Sequence, residues 1–204
     1  MESPILLSPE KWQSRWEIAD RPKELFALGN QALLDHSALA LFCSSRCPGS
    51  IILKAYDAVK ELRDEGRTVI GGFHSAIEKE CLDILLRGHS PVILCPARSL
   101  HGIRLKGEWK KPLEEGRLLI LSRFSTKHSR MTADLAHQRN LLVASLADEI
   151  LILHAAAGSM VEFICALAGA LSKPIQVLDY PANRRLIVKG MKVYHADAYG
   201  TESG

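Results

Sequence analysis

Residues Ala38-Leu-Ala-Leu-Phe-Cys-Ser-Ser-Arg46 form an unbroken apolar run that stops in two small hydroxyl residues and an arginine. Pro48-Gly49 follow. Apolar residues then recur at helical spacing, from Ile51 through Ala55, Ala58 and Val59 to Leu62. Continuous apolarity suits a strand covered on both faces, and strand, turn and helix in this order open a Rossmann-like unit. Backbone N–H groups at the helix start, hydroxyls and a guanidinium all favour an anion at the strand's carboxyl end. The expected ligand is a nucleotide or a nucleic-acid phosphate.

Working outward, runs of the same kind lie at 67–71, 91–95, 117–121, 149–153 and 174–178. Between them, helical spacing recurs in Ile77, Cys81, Ile84 and Leu85, in Leu135, Leu142 and Leu146, and in Val161, Ile164, Cys165, Ala168 and Leu171. The alternation predicts an α/β fold: a Rossmann-like three-layer αβα sandwich around a mostly parallel sheet of about six or more strands. Right-handed crossovers bring the carboxyl ends of the strands to one edge. Three loops predicted there are rich in small residues: Ser44-Ser45-Arg46, Gly71-Gly72-Phe73-His74, and His154 through Gly158-Ser159. Small residues let a ligand approach the main chain. Residues 1–36, with Trp12, Trp16 and a helical-looking Lys23–Leu34, read as a cap over the sheet's edge. Residues 37–195 read as the Rossmann domain and 196–204 as a flexible, polar tail.

The chain has 204 residues, 47% of them hydrophobic, enough for a full core, and a net charge of only +3. Residues 98–139 concentrate ten Lys/Arg against four Asp/Glu, with His101, His128 and His137. That stretch is either solvated helix faces and loops or an electropositive rim for a polyanion. Cys43, Cys47, Cys81, Cys95 and Cys165 lack zinc spacing and read as free thiols in a reducing compartment. Cys43 and Cys47 flank the phosphate loop, where redox sensitivity is the other reading. No signal peptide or membrane-length apolar run is present, so a cytoplasmic protein with no membrane partner is expected. No metal site, no cofactor and no P-loop are read.

Longer stretches resemble the DNA-processing protein A (DprA/Smf) family. They are Phe26-Ala-Leu-Gly-Asn-Gln-Ala-Leu-Leu34, the strand ending Ser44-Ser45-Arg46, Gly71-Gly72-Phe73 with Ala76-Ile77, Gln138-Arg139-Asn140 through Asp148, Ala157-Gly158-Ser159, and Asn183 to Ile187 with Gly190. Their joint order over roughly residues 22–192 is similar to the family's core, within the broader LOG/Smf superfamily. The resemblance implies single-stranded DNA binding, a homodimer, a recombinase partner, and a role in DNA recombination or in DNA uptake during transformation. It points to Ser45 and Arg46, Gly72, and Arg139 with Asn140 as phosphate-binding positions, with Lys127 in a basic-flanked loop. Ser44, Phe73, His74, Gly158 and Ser159 complete the binding set read from the loops. Glu78 stands where the family commonly has Asp, and the residues before Gly158 lack the family's charged and hydroxyl groups. No winged-helix segment follows residue 200, and the N-terminal region is too short for a helix–hairpin–helix, so the resemblance is to the core alone.

A second resemblance, to LOG-type nucleoside monophosphate phosphoribohydrolases, gives the enzyme alternative. Arg139 would grip a phosphate and Glu162 would stabilise an oxocarbenium-like sugar or activate water. Glu162 is equally explained as a first-turn carboxylate complementing its helix dipole, and the glycine-rich signature of those enzymes is replaced by Ala155-Ala156-Ala157-Gly158-Ser159. Ser44 or Ser45 with His74 could form a nucleophile and base, although no oriented triad is readable. His154 reads as a hydrogen-bonded core histidine. Phe73 and Phe124 read either as base-stacking rings at the pocket mouth or as core. The favoured reading is phosphate capture without chemistry; a nucleotide sensor and a pure interaction module are the others.

Overall fold

A computed structural model describes residues 3–16, 20–128, 130–170, 172–187 and 191–196. Leu171, Gly190 and the tail beyond Ala196 lie outside them. The strands are β1 (Ile5–Leu6), β2 (Phe26–Gly29), β3 (Ala38–Cys43), β4 (Thr68–Gly71), β5 (Val92–Leu94), β6 (Leu118–Ser122), β7 (Glu149–His154), β8 (Ile175–Leu178) and β9 (Lys192–Tyr194). The helices are α1 (Ile52–Asp64), α2 (Ala76–Leu86), α3 (Gly107–Glu114), α4 (Ala133–Leu146), α5 (Met160–Ala170) and the short α6 (Arg184–Ile187). All the strands form one sheet in the order β1-β2-β6-β5-β4-β3-β7-β8-β9. From β6 to β9 the pairing is parallel. The α/β Rossmann-like architecture expected from the sequence is therefore the observed one.

The continuous apolar runs follow from having helices on both faces. Leu39, Leu41 and Cys43 of β3 pack with Ala55, Ala58 and Val59 of α1 and Cys81 and Leu85 of α2. Ala38, Ala40 and Phe42, the alternate residues, pack in a second core with Leu142 and Leu146 of α4 and Ile164 and Ala168 of α5. Winding decides where a ligand fits. From β3 the chain steps outward through β4, β5 and β6, and α4 then carries it back to β7 on the other flank of β3. The carboxyl ends of β3 and β7 consequently diverge at the topological switch point. Their register also breaks there: Phe42 faces Ile152, but Cys43 faces His154. The irregularity re-aims the two chain ends as they leave the sheet.

The helical reading of Lys23–Leu34 is corrected. Phe26–Gly29 is a strand antiparallel to β6, and Gln31–Asp35 is a 3-10 turn capped by the Asn30 side chain. Gly29 has φ +98°, and a Cβ there would run into the Leu118 carbonyl oxygen, so no side chain fits. A four-residue strand is too short for its period to be told from a helix's, and the otherwise open edge of β6 selects the strand. The chain before that segment also contributes to the α4-side core: Trp12 and Trp16 are buried in an edge-to-face pair with centroids 6.5 Å apart.

Candidate functional site

The switch point opens into a cleft of ≈ 600 Å³. Its walls come from the loops after β3 (Ser44, Ser45, Arg46), β4 (His74, Ser75) and β7 (Ala156 to Ser159), with the first turns of α4 and α5. Segments distant in sequence thus share one cavity, and the Ser44–Arg46 loop and Arg139 both line it.

The floor is a buried charge arrangement. Ser75 caps α2, its hydroxyl accepting from the Glu78 N–H at 3.2 Å, and Glu78 returns the contact from its carboxylate, a capping box. That carboxylate is only 6% exposed and accepts three backbone bonds of 2.9 Å each: Cys43 N–H on Oε1, and His74 and Ser75 N–H on Oε2. One side chain therefore ties the end of β3 to the β4 loop. Arg139, 4% exposed, lies across Gly72, donates from Nε to Asn140 Oδ1 at 2.7 Å, and reaches the Cys95 carbonyl at 3.3 Å. A Cβ on Gly72 would collide with the guanidinium. Burial pulls the Arg139 guanidinium below its ordinary value, and the Glu78 charge opposes that.

This changes the expected role of several residues. Gly72 makes room for Arg139 rather than for a ligand. Ser44 is buried, and its hydroxyl donates to Ser159 Oγ and accepts from Ala156 N–H, both at 2.9 Å, pinning the β3 loop to the β7 loop. Phe73 turns into the α1–α2 core with φ +45°, and Phe124 is buried against Ala97 and Leu135, so neither ring stands at the mouth. Lys127 is exposed but lies outside the cleft lining. Gly158 has φ +69° with open space around it, the left-handed turn that starts α5, and its N–H is taken by Glu162 Oε2 at 2.7 Å.

The pair required by the enzyme alternative does not come together. Glu162 faces away from the cleft, with one carboxylate oxygen on the Gly158 N–H and the other on Arg185. His74 is exposed and, among the described residues, its ring makes no hydrogen bond to Ser44 or Ser45. His154 is the core histidine expected, buried with Nδ1 2.9 Å from Asn183 Oδ1. The cysteines are thiols outside any disulfide; burial pushes Cys95 up to about 12. Among the described residues no group of three His, Cys, Asp or Glu could hold a metal, and no helix is long and apolar enough to cross a membrane.

The lip beside β3 is different. Ser45 and Arg46 are exposed, and Arg46 has neither ion pair nor hydrogen bond among the described residues. Much of the basic stretch 98–139 is neutralised locally: Lys106 pairs with Glu108, Lys111 and Arg117 with Glu115, and Arg123 with Asp20. Among the described residues Arg98, Arg104, Lys127 and Arg130 form no ion pair; they lie in the loops that follow β5 and β6, at the edge where the cleft opens.

Glu78 is the principal site residue that reading the loops missed, and its signal was in the sequence as Ser75-x-x-Glu78. His137, which also lines the cleft, was visible only as part of the basic stretch 98–139, and Met160 carried no signal.

Solved structures share this fold. DNA processing protein A from Helicobacter pylori, described for its single-stranded DNA binding mode, is 23% identical, with 94% of this chain and 89% of that one covered and a TM-score of 0.75. The same protein from Streptococcus pneumoniae is 18% identical, with 95% and 71% covered and a TM-score of 0.78. A molybdenum cofactor binding protein from Rippkaea orientalis is more distant: 14% identity, 79% and 90% covered, TM-score 0.54. No curated protein sequence matches the chain significantly. The family model of DNA recombination-mediator protein A matches residues 5–198, from the first strand past the last, and the chain belongs to that family.

Proposed function

We propose that the protein binds single-stranded DNA in the service of DNA recombination or uptake, seating phosphates in the switch-point cleft and performing no chemistry on them. The observation that carries this reading is Arg46: an exposed guanidinium without an ion-pair or hydrogen-bond partner among the described residues, beside the Ser45 hydroxyl, on the lip of a cleft with a buried cation in its floor. A surface arginine left unpaired at a concave site is suited to bidentate capture of a phosphate. Family membership and the single-stranded DNA binding described for the Helicobacter pylori relative support the same ligand class. Arg98, Arg104, Lys127 and Arg130 continue the track for a strand too long for the cleft.

The test is fluorescence anisotropy of a labelled oligothymidylate over a salt series. Log affinity falls with log salt by about 0.7 per phosphate contact for a single strand. Arg46→Ala lowers that slope by about 0.7 and leaves the thermal midpoint in place. A protein whose oligonucleotide affinity ignores salt, or whose slope is unmoved by Arg46→Ala, overturns the assignment.

A further inference from the structure

The two lips of the cleft differ in chemistry. The β3 lip carries Ser45 and Arg46; the facing lip, built from the first turns of α4 and α5, carries Ala133, Ala136, His137 and Met160 and no cation. Beside that lip stands Phe163, 48% exposed on the first turn of α5. Its ring lies against His137, with centroids 5.5 Å apart and planes inclined by 44°. His137 Nδ1 in turn faces the Met160 sulfur at 2.9 Å, which fixes the imidazole between the two helices.

Core packing does not account for this ring. Val161, Ile164, Cys165 and Ala168 make the buried side of α5, and Phe163 belongs to none of the hydrophobic clusters. Among the described residues the exposed large apolar side chains are Ile5, Leu6, Leu53, Met131 and Phe163, and Phe163 alone is aromatic. Across ≈ 600 Å³ a cationic lip faces one of small and polarisable side chains, and the exposed Phe163 ring stands just outside that second lip, joined to it through His137. The arrangement has the polarity of a nucleotide, phosphate on one side and base on the other.

We propose that Phe163, backed by His137, is a stacking platform for a nucleobase whose phosphate is held at the Arg46 lip. The inference rests on the proposed phosphate cleft and adds to it the part of the ligand that is not phosphate. Stacking on an aromatic face tolerates any base sequence, so the platform would strengthen binding without sequence specificity.

The experiment compares an oligothymidylate with an abasic strand of equal length and, as competitor, thymidine monophosphate. Phe163→Ala is expected to weaken oligothymidylate binding by about five-fold to a hundred-fold, with the salt slope unchanged and abasic binding unaffected. Phe163→Trp should restore it. Weaker competition by the monophosphate against the Ala variant as well assigns the platform to single nucleotides too; competition unchanged assigns it to a base within a strand. Equal discrimination between thymidylate and abasic strands in wild type and variant overturns the platform, whereas loss of salt-dependent binding by the wild type overturns the cleft itself. A change of sedimentation coefficient in Phe163→Ala with base discrimination intact also overturns it, giving the ring to a second copy of the chain.

Discussion

The loops after β4 and β7 reach the cleft with the same device, Ser-x-x-Glu at the start of a helix, and put it to different uses. Ser75 and Glu78 close a capping box whose carboxylate turns inward, collecting three backbone N–H groups from two loops and facing the buried Arg139. At the β7 loop, Ser159 Oγ accepts from Glu162 N–H at 3.3 Å, but the Glu162 carboxylate turns outward to Gly158 and Arg185. The difference lies in what surrounds each carboxylate. α2 starts beside the end of β3, where unpaired N–H groups need an acceptor; α5 starts beside α6, which offers an arginine. The shared motif guarantees a cap, and the neighbours decide whether its charge shapes a ligand site.

The contrast is broken most directly by removing each carboxylate. Glu78→Ala leaves three N–H groups, two of them buried, and the Arg139 charge without its carboxylate, a loss of about 3–5 kcal/mol in urea unfolding. Glu78→Gln, which keeps one acceptor oxygen and puts an NH2 against N–H donors, should fall between wild type and Ala. Gly72→Ala attacks the same floor sterically, because its methyl would occupy the space of the Arg139 guanidinium. A cost of about 1–3 kcal/mol is expected, as for other overpacked sites, with a matching loss of oligonucleotide affinity as the floor shifts. Glu162→Ala, whose ion pair is 26% and 35% exposed, should cost only about 1 kcal/mol. Its salt slope for oligonucleotide binding should stay where it was. A Glu162→Ala protein as unstable as Glu78→Ala would show that outward and inward caps are equivalent after all.

Which of this was legible follows the range of the interactions. The strands from Ala38 to Leu178 announce themselves because each is covered on both faces, so local apolarity records the layer arrangement. The carboxyl-edge loops were legible for the same reason, since small residues follow those runs. The role of Gly72 was not: its reason is Arg139, on a helix beyond two further strands, and nothing local distinguishes room for a guanidinium from room for a phosphate. Phe73 and Glu162 each kept two readings for the same reason. An aromatic after a strand and an acid in a first turn look alike whether they face the cleft or the core, and the direction is set by partners such as Arg185.

The smallest expected effect separates lip from floor by pH. Although His74 is exposed at the cleft, partial desolvation by the surrounding walls, with the Arg139 and Lys79 charges, holds its imidazole below its ordinary value, and Glu78 opposes them. In the unfolded chain it takes a proton near 6.5, so between that pH and the lower folded value the unfolded state binds more protons. Its contribution to stability is present above pH 6.5 and lost as pH falls through the folded value. His74→Gln should therefore lose less of its urea midpoint than wild type between pH 7.5 and about 5.5. A phosphate in the cleft adds the opposite influence, a negative charge that favours the imidazolium. Oligonucleotide binding should then take up protons, and affinity should rise as pH falls from about 7.5 to about 6 in wild type but more weakly in His74→Gln. If the two proteins show the same pH profile with oligonucleotide bound, the phosphate does not sit beside the β4 loop, and the lip that receives it is the Arg46 side alone.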